Sequence, residues 1–146
     1  MQNVFGTLKK DHEKQRDLLK KLKATSGDSP ERATLFKELK EELDNHAVAE
    51  ERAVYSFMLA DELTQEKAGH SIHEHKEIDH LVADLGEMEL SNPNWIRKLQ
   101  VLSDKVNHHL DEEEEIVFPL GNKILDAQEK AEMAKDFKFV KRQEES

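Results

Sequence analysis

Sliding the chain along itself by 63 residues lays its two halves over one another without a gap. Asp11-His12 falls on Glu74-His75, Leu18, Leu19 and Leu22 on Leu81, Val82 and Leu85, and Pro30 on Pro93. Phe36, Leu39 and Leu43 fall on Leu99, Leu102 and Val106; His46, Glu50 and Glu51 fall on His109, Glu113 and Glu114, and Tyr55 on Phe118. Any two amphipathic hairpins share apolar positions, but a matched proline, two matched histidines and a matched glutamate at one offset are not produced by periodicity alone. Each half therefore reads as a helical hairpin, and two hairpins packed antiparallel make a four-helix bundle.

Local signals agree. Ser29-Pro30 and Asn92-Pro93 each set a capping residue before a proline at the first helical position. Thr64 is placed to cap a further helix, and Asp126 with Glu129 reads as a capping box. These marks predict helices at about 2–25, 30–61, 64–90, 93–120 and 126–143. No window alternates with period two long enough to be a strand, and five Gly, three Pro and a single Tyr are too few for a sandwich or barrel. The expected fold is all-α: an up-down-up-down antiparallel bundle over about 2–121, with an additional C-terminal helical segment at about 126–143, all in one domain spanning 1–146. That last segment, with Phe137, Phe139 and Val140, is expected to pack across one end of the bundle, and Pro119 to kink or end the fourth helix.

With no Cys there is no disulfide, thiolate metal site or thiol nucleophile, and a formal charge of −10 argues against nucleic acid or an anionic membrane as partner. No run approaches the roughly 18 apolar residues of a membrane span, and the first residues lack a signal-peptide core, so a soluble cytoplasmic protein is the expectation.

Chemistry enters along the interior stripes. The second helix offers Phe36, Leu39, Leu43, His46, Glu50, Val54 and Phe57; the fourth offers Leu99, Leu102, Val106, His109, Glu113, Val117 and Leu120, with identical steps. A His and, four residues later, a Glu interrupt each stripe at the same level, and residues at i and i+4 share a helix face. An ionised carboxylate taken out of water costs several kcal/mol unless it is paired or metal-bound, and no Lys or Arg interrupts these stripes. The first and third helices add His12 and His75, each 34 residues before the histidine of the next helix. From each histidine to the turn of its hairpin is about 20–24 Å of helix at 1.5 Å per residue, so the imidazoles of a hairpin reach one height. Four imidazoles and two carboxylates exceed what one catalytic zinc takes and suit two metals bridged by carboxylate, about 3.5–4 Å apart. Imidazole and carboxylate without thiolate favour iron or manganese over structural zinc, although zinc or copper can load by affinity. On this reading His12 and His46 hold one metal, His75 and His109 the other, and Glu50 and Glu113 bridge, leaving positions for water, an oxo group, O2, peroxide or NO.

Glu51 and Glu114 sit one residue further round their helices and are expected at an interface, with bridging as the minority reading. His70, His73, His80 and His108 have no histidine partner across the repeat and are expected at the surface or just outside the site; His108 becomes an alternative ligand if its helix is rotated. Tyr55 and Phe118 read as core, with a Tyr55 hydrogen bond to the site as the lesser alternative, and Trp95 as a plug at a bundle end. A ferritin-type site needs Glu-x-x-His on two helices, and Glu77-x-x-His80 occurs without a repeat mate.

The pattern His12, His46-x3-Glu50-Glu51, Glu74-His75 and His109-x3-Glu113-Glu114 followed by Phe118-Pro119 resembles a hemerythrin-like, HHE cation-binding domain over roughly residues 8–121. The resemblance implies a bundle with a non-haem di-iron centre at the six positions, and family roles that include binding O2, sensing oxygen or iron, handling NO or peroxide, and repairing iron–sulfur centres. Oxygen-carrying hemerythrins have a further histidine four residues after the one on the third helix, where this chain has Asp79. Asp79 is then an additional ligand or supporting partner, or the site is more open; either favours stress chemistry over reversible O2 carriage. The expected function is a di-iron protein that binds or senses O2, NO or peroxide. Alternatives are a peroxide- or NO-consuming or iron–sulfur-repair enzyme on the same ligands, and a metal-free helical interaction module.

Overall fold

The chain is described here from a computed structural model covering residues 2–146. Helix α1 (Val4–Lys23) starts where the Asn3 side chain accepts a hydrogen bond from the Phe5 amide. Helix α2 (Pro30–Glu50) starts at Ser29, whose hydroxyl accepts from the Arg32 amide, with Pro30 at the first helical position. It runs on through a π-helical turn, Glu51–Tyr55, into Ser56–Met58. Helix α3 (Gln65–Glu87) follows, then α4 (Trp95–Glu112), which continues through a second π-helical turn, Glu113–Val117, and the segment Phe118–Ile124. Helix α5 (Ala127–Glu145) opens on the expected capping box of Asp126 and Glu129. There is no strand among the described residues. Helices α1 to α4 pack cyclically, each against its two neighbours, as the bundle requires.

Two caps differ from expectation. The Thr64 hydroxyl donates to the Met58 carbonyl and does not cap α3, fastening the α2–α3 connection instead. Asn92 accepts from the Asn94 amide in a turn that also holds Pro93, so α4 begins two residues later than the proline suggests.

The π turns change register. Each inserts one residue's rotation into the helix, so the buried positions step from Val54 to Tyr55 and Met58, and from Val117 to Phe118 and Gly121. Phe57 is consequently 53% exposed and Leu120 only partly buried, where unbroken periodicity puts both inside. The Phe118 amide bonds five residues back to Glu113, so the backbone has already left i→i−4 bonding before Pro119 is reached, and the helix carries the proline without ending.

Helix α5 lies along the bundle, not across its end. Met133, Ala134 and Phe137 join the apolar cluster of Val4, Phe5, Leu8, Ala49 and Ala53, and Lys141 reaches Asp11 of α1 and Glu42 of α2. One turn separates each of Met133, Phe137 and Lys141 from the next, and that stripe matches the groove between α1 and α2. Phe139 lies off it and is exposed. A second apolar cluster, built on Leu19, Leu22, Leu39, Val82, Leu85, Leu99 and Leu102, fills the other end. There Trp95 is a fully buried plug, covered by the buried Arg32 guanidinium 4.7 Å from its ring; Arg32 also donates to the carbonyls of Thr25 and Leu90 and so ties two interhelical loops together. Between the clusters lies one polar layer.

A candidate metal centre between two apolar clusters

All six sequence-predicted positions are buried in that layer. One group comprises His12, His46, Glu50 and Glu113, a second Glu50, His75, His109 and Glu113, and within each group the candidate donor atoms lie within 4.8 Å of one another. Both carboxylates belong to both groups, while the histidines divide as His12 with His46 and His75 with His109. Glu50 turns one oxygen to His46 Nε2 at 3.7 Å and the other to His75 Nε2 at 3.1 Å. Glu113 turns a single oxygen, Oε1, to His12 Nε2 at 3.4 Å and His109 Nε2 at 3.1 Å. Its other oxygen accepts a hydrogen bond from the Tyr55 hydroxyl, so Tyr55 reaches the site as well as packing in the core.

The outer nitrogens follow one rule. His46 Nδ1 meets Asp11 at 2.9 Å and His109 Nδ1 meets Glu74 at 2.9 Å, each within its own hairpin. His12 Nδ1 meets Glu114 at 2.6 Å and His75 Nδ1 meets Glu51 at 2.7 Å, each across hairpins. Asp11 and Glu74, like Glu51 and Glu114, are repeat equivalents, so the layer has a pseudo-twofold arrangement. A carboxylate on Nδ1 fixes ring orientation and leaves Nε2 as the inward donor. Three outer carboxylates are backed by cations: Asp11 by Lys141 at 2.7 Å, Glu114 by Arg16 at 2.9 Å and Glu74 by Lys105 at 3.5 Å.

Charge in the layer is strongly coupled. Burial by itself lowers the histidine pKa values, but the Glu50 and Asp11 carboxylates outweigh it and push His46 up to about 10. The same opposition, with Glu113 and Glu74, pushes His109 up to about 10, and with Glu50 and Glu51 pushes His75 up to about 9. For Glu113, burial would raise the pKa, yet His109 and His12 hold it well below the usual carboxylate range. Asp11 is likewise held down against burial by His46 and Lys141, while burial and the neighbouring Glu113 and Glu50 charges push the Tyr55 phenol well above its ordinary value.

The donor set fits a metal on direct observation. Among the described residues nine buried side-chain nitrogens and oxygens have no hydrogen-bond partner, and six of them are His12 Nε2, His46 Nε2, His75 Nε2, both Glu50 oxygens and Glu113 Oε1. Each such atom costs about 1–3 kcal/mol if nothing meets it. Their concentration in one layer, nitrogen and oxygen only, is what a pair of divalent cations would satisfy.

The remaining candidates fall outside. His108, His73, His80 and His70 are exposed; His70 stands 3.6 Å from Glu74 and 3.5 Å from Glu112 on the surface. Asp79 is exposed and belongs to neither group. It occupies the mouth of a small pocket lined also by Gln15, His46, His75 and His109, which opens between α2 and α3. Partial loss of water around its carboxyl at the pocket edge, together with the nearby Asp44, raises its pKa. The roles of Asp11, Glu74, Glu51 and Glu114 are the part that stripe-reading misses. The repeat carried the signal, since all four match at the same offset as the inward residues.

Comparison with known proteins agrees with this geometry. The model of the Hemerythrin HHE cation binding domain matches residues 3–121. An uncharacterized hemerythrin-like protein of Schizosaccharomyces pombe is 31% identical over 103 residues, which is 69% of this chain and 51% of that protein, so the chain spans about half the length of this relative. A crystal structure of a hemerythrin HHE cation binding domain-containing protein from Mycobacterium kansasii superposes with a TM-score of 0.89 at 24% identity, covering 99% of this chain and 88% of that one. At that identity the likeness bears on the fold, and it extends over α5. The family match spans the repeat and every residue of the polar layer, and the chain belongs to the hemerythrin HHE cation-binding domain family, a family of metal-binding helical proteins.

Proposed function

We propose that this chain is a non-haem di-iron protein whose centre binds or senses a small ligand (O2, NO or peroxide) in a stress or iron- and oxygen-response role. His12 and His46 would hold one iron and His75 and His109 the other, with Glu50 and Glu113 between them. The observation that carries the reading is the sharing of both buried carboxylates by two four-residue groups, with six of their inward atoms lacking a hydrogen-bond partner. Bound iron would supply redox change and open coordination positions to the ligand. The chain does the rest: outer carboxylates orient the imidazoles, the two apolar clusters exclude bulk water, and the small pocket beside Asp79 joins the centre to the surface groove between α2 and α3.

A second reading, turnover of peroxide or NO, is favoured by the Tyr55 hydroxyl, which places a hydrogen-bond donor on Glu113 beside the centre. Metal content after anaerobic purification from iron-replete cells tests the first claim: about two irons per chain are expected, and reproducibly none defeats it. Rapid peroxide consumption that vanishes in His46→Ala would mark an enzyme, whereas a spectral change on exposure to O2 or NO without turnover would mark a binder or sensor.

A further inference from the structure

Inside Asp79 at its mouth, the pocket beside the centre is lined by hydrocarbon and imidazole with one exception. Gln15 is buried, and its amide nitrogen has no hydrogen-bond partner. Across the repeat its place is taken by Ile78, which lines the same pocket. The apolar choice is therefore compatible with this layer on one side, and an unsatisfied amide on the other needs a reason, since a buried donor left unmade is costly.

The mouth of the pocket is asymmetric too. Asp79 is the repeat equivalent of Arg16. Arg16 closes the α1–α4 seam by bonding both Asp111 of α4 and Glu114 of the π turn that continues it, each at 2.9 Å. Asp79 makes no such bridge among the described residues: it stands where the inner pocket meets a surface groove between α2 and α3, and Leu43 lines both. One seam is shut by an arginine, and the other leads inward to Gln15.

We infer that Gln15 is the hydrogen-bond donor that receives a small anionic or diatomic ligand entering the centre past Asp79 between α2 and α3. The inference rests on the metal-binding reading above and adds to it the side of approach and the residue that meets the ligand. A carboxamide donates through N–H at any physiological pH, so recognition of this kind would not depend on a proton supplied by solvent.

Azide is a suitable probe, being small, anionic and spectroscopically distinct. Wild type, Gln15→Leu and Gln15→Met are loaded with ferric iron, their iron content is measured, and each is titrated with azide. With iron content equal to wild type, both variants are expected to bind azide about tenfold more weakly, the scale of one lost hydrogen bond. The azide stretching band of wild type is expected to shift on exchange into D2O, and that shift to be absent from both variants. Azide affinity within twofold of wild type in iron-replete variants, with the D2O shift retained, overturns the role of Gln15 and leaves the metal site standing. Failure of wild type itself to take up iron overturns both.

Discussion

At the scale of single residues, the histidines of the layer divide their two nitrogens between two tasks. Nδ1 is anchored on a carboxylate and Nε2 faces inward, so the outer carboxylates should govern how well a metal is held without being ligands themselves. Asp11→Asn and Glu74→Gln are expected to weaken metal binding about 10–100-fold, measured by chelator competition, with helical content unchanged. Glu50→Ala and Glu113→Ala are expected to abolish binding of the metal pair. Should Glu51→Ala prove as damaging as Glu50→Ala, the distinction between inward and outward carboxylates is wrong. The inward six can be read from the stripes because burying a carboxylate costs too much to happen casually. The outer four cannot be read that way. Glu51 and Glu114 are partly exposed, and a helical wheel assigns such residues to solvent; their partners lie on the opposite hairpin, which local periodicity does not see.

Helices themselves were the most legible elements and also the source of the plainest errors. Ser29-Pro30 and Asp126 mark real starts because the side-chain oxygen meets an orphan amide in each case. The π turns left no comparable mark. Each lies immediately after or on an inward glutamate, so the helix is rewound where it carries its charge, a placement π turns favour at functional sites. Sequence periodicity places Phe57 and Leu120 in the core because a 3.6-residue repeat has no way to register one inserted residue. That insertion can be removed. Deleting the exposed Ile116 should return the turn to α-helical bonding while leaving Phe118 on the inward face against Phe5, which it meets at 5.0 Å, because the lost residue and the lost π turn cancel. The urea midpoint is therefore expected to fall far less than in Phe118→Ala, which forfeits about 3 kcal/mol or more of buried ring. A loss as large as that of Phe118→Ala would mean that the π turn does not absorb one inserted residue. The seat of α5 is hidden for a related reason: its apolar residues announce that it packs, but not on what. The choice is made by Lys141, whose ammonium is drawn between Asp11 and Glu42, and by Phe137, whose ring meets His46 edge-on at 5.5 Å.

For the molecule as a whole, the polar layer makes folding and metal loading one problem. Without metal, the layer is kept near neutrality by protons on His46, His75 and His109, whose pKa values of about 10, 9 and 10 lie above the ordinary 6.5. A raised pKa means that the folded chain holds the proton more tightly than the unfolded chain. The stabilisation is therefore fully present below about pH 6.5 and is lost as pH climbs through the folded values. The stripped protein should accordingly melt at progressively lower temperature between pH 6.5 and 10. Metal reverses the dependence, because a cation on Nε2 must displace the proton there, and its apparent affinity rises as that proton becomes easier to remove. At free metal about a thousandfold above Kd, the gain is about 4 kcal/mol, worth roughly 10 °C in a chain of this size. Groups remote from the layer titrate alike in both forms and cancel in the difference. The gap in Tm between loaded and chelator-stripped protein should therefore widen from pH 6.5 to pH 9. A gap of the same size at both pH values would mean that metal and proton do not compete for these nitrogens; no gap at either would return the layer to a proton-filled structural network.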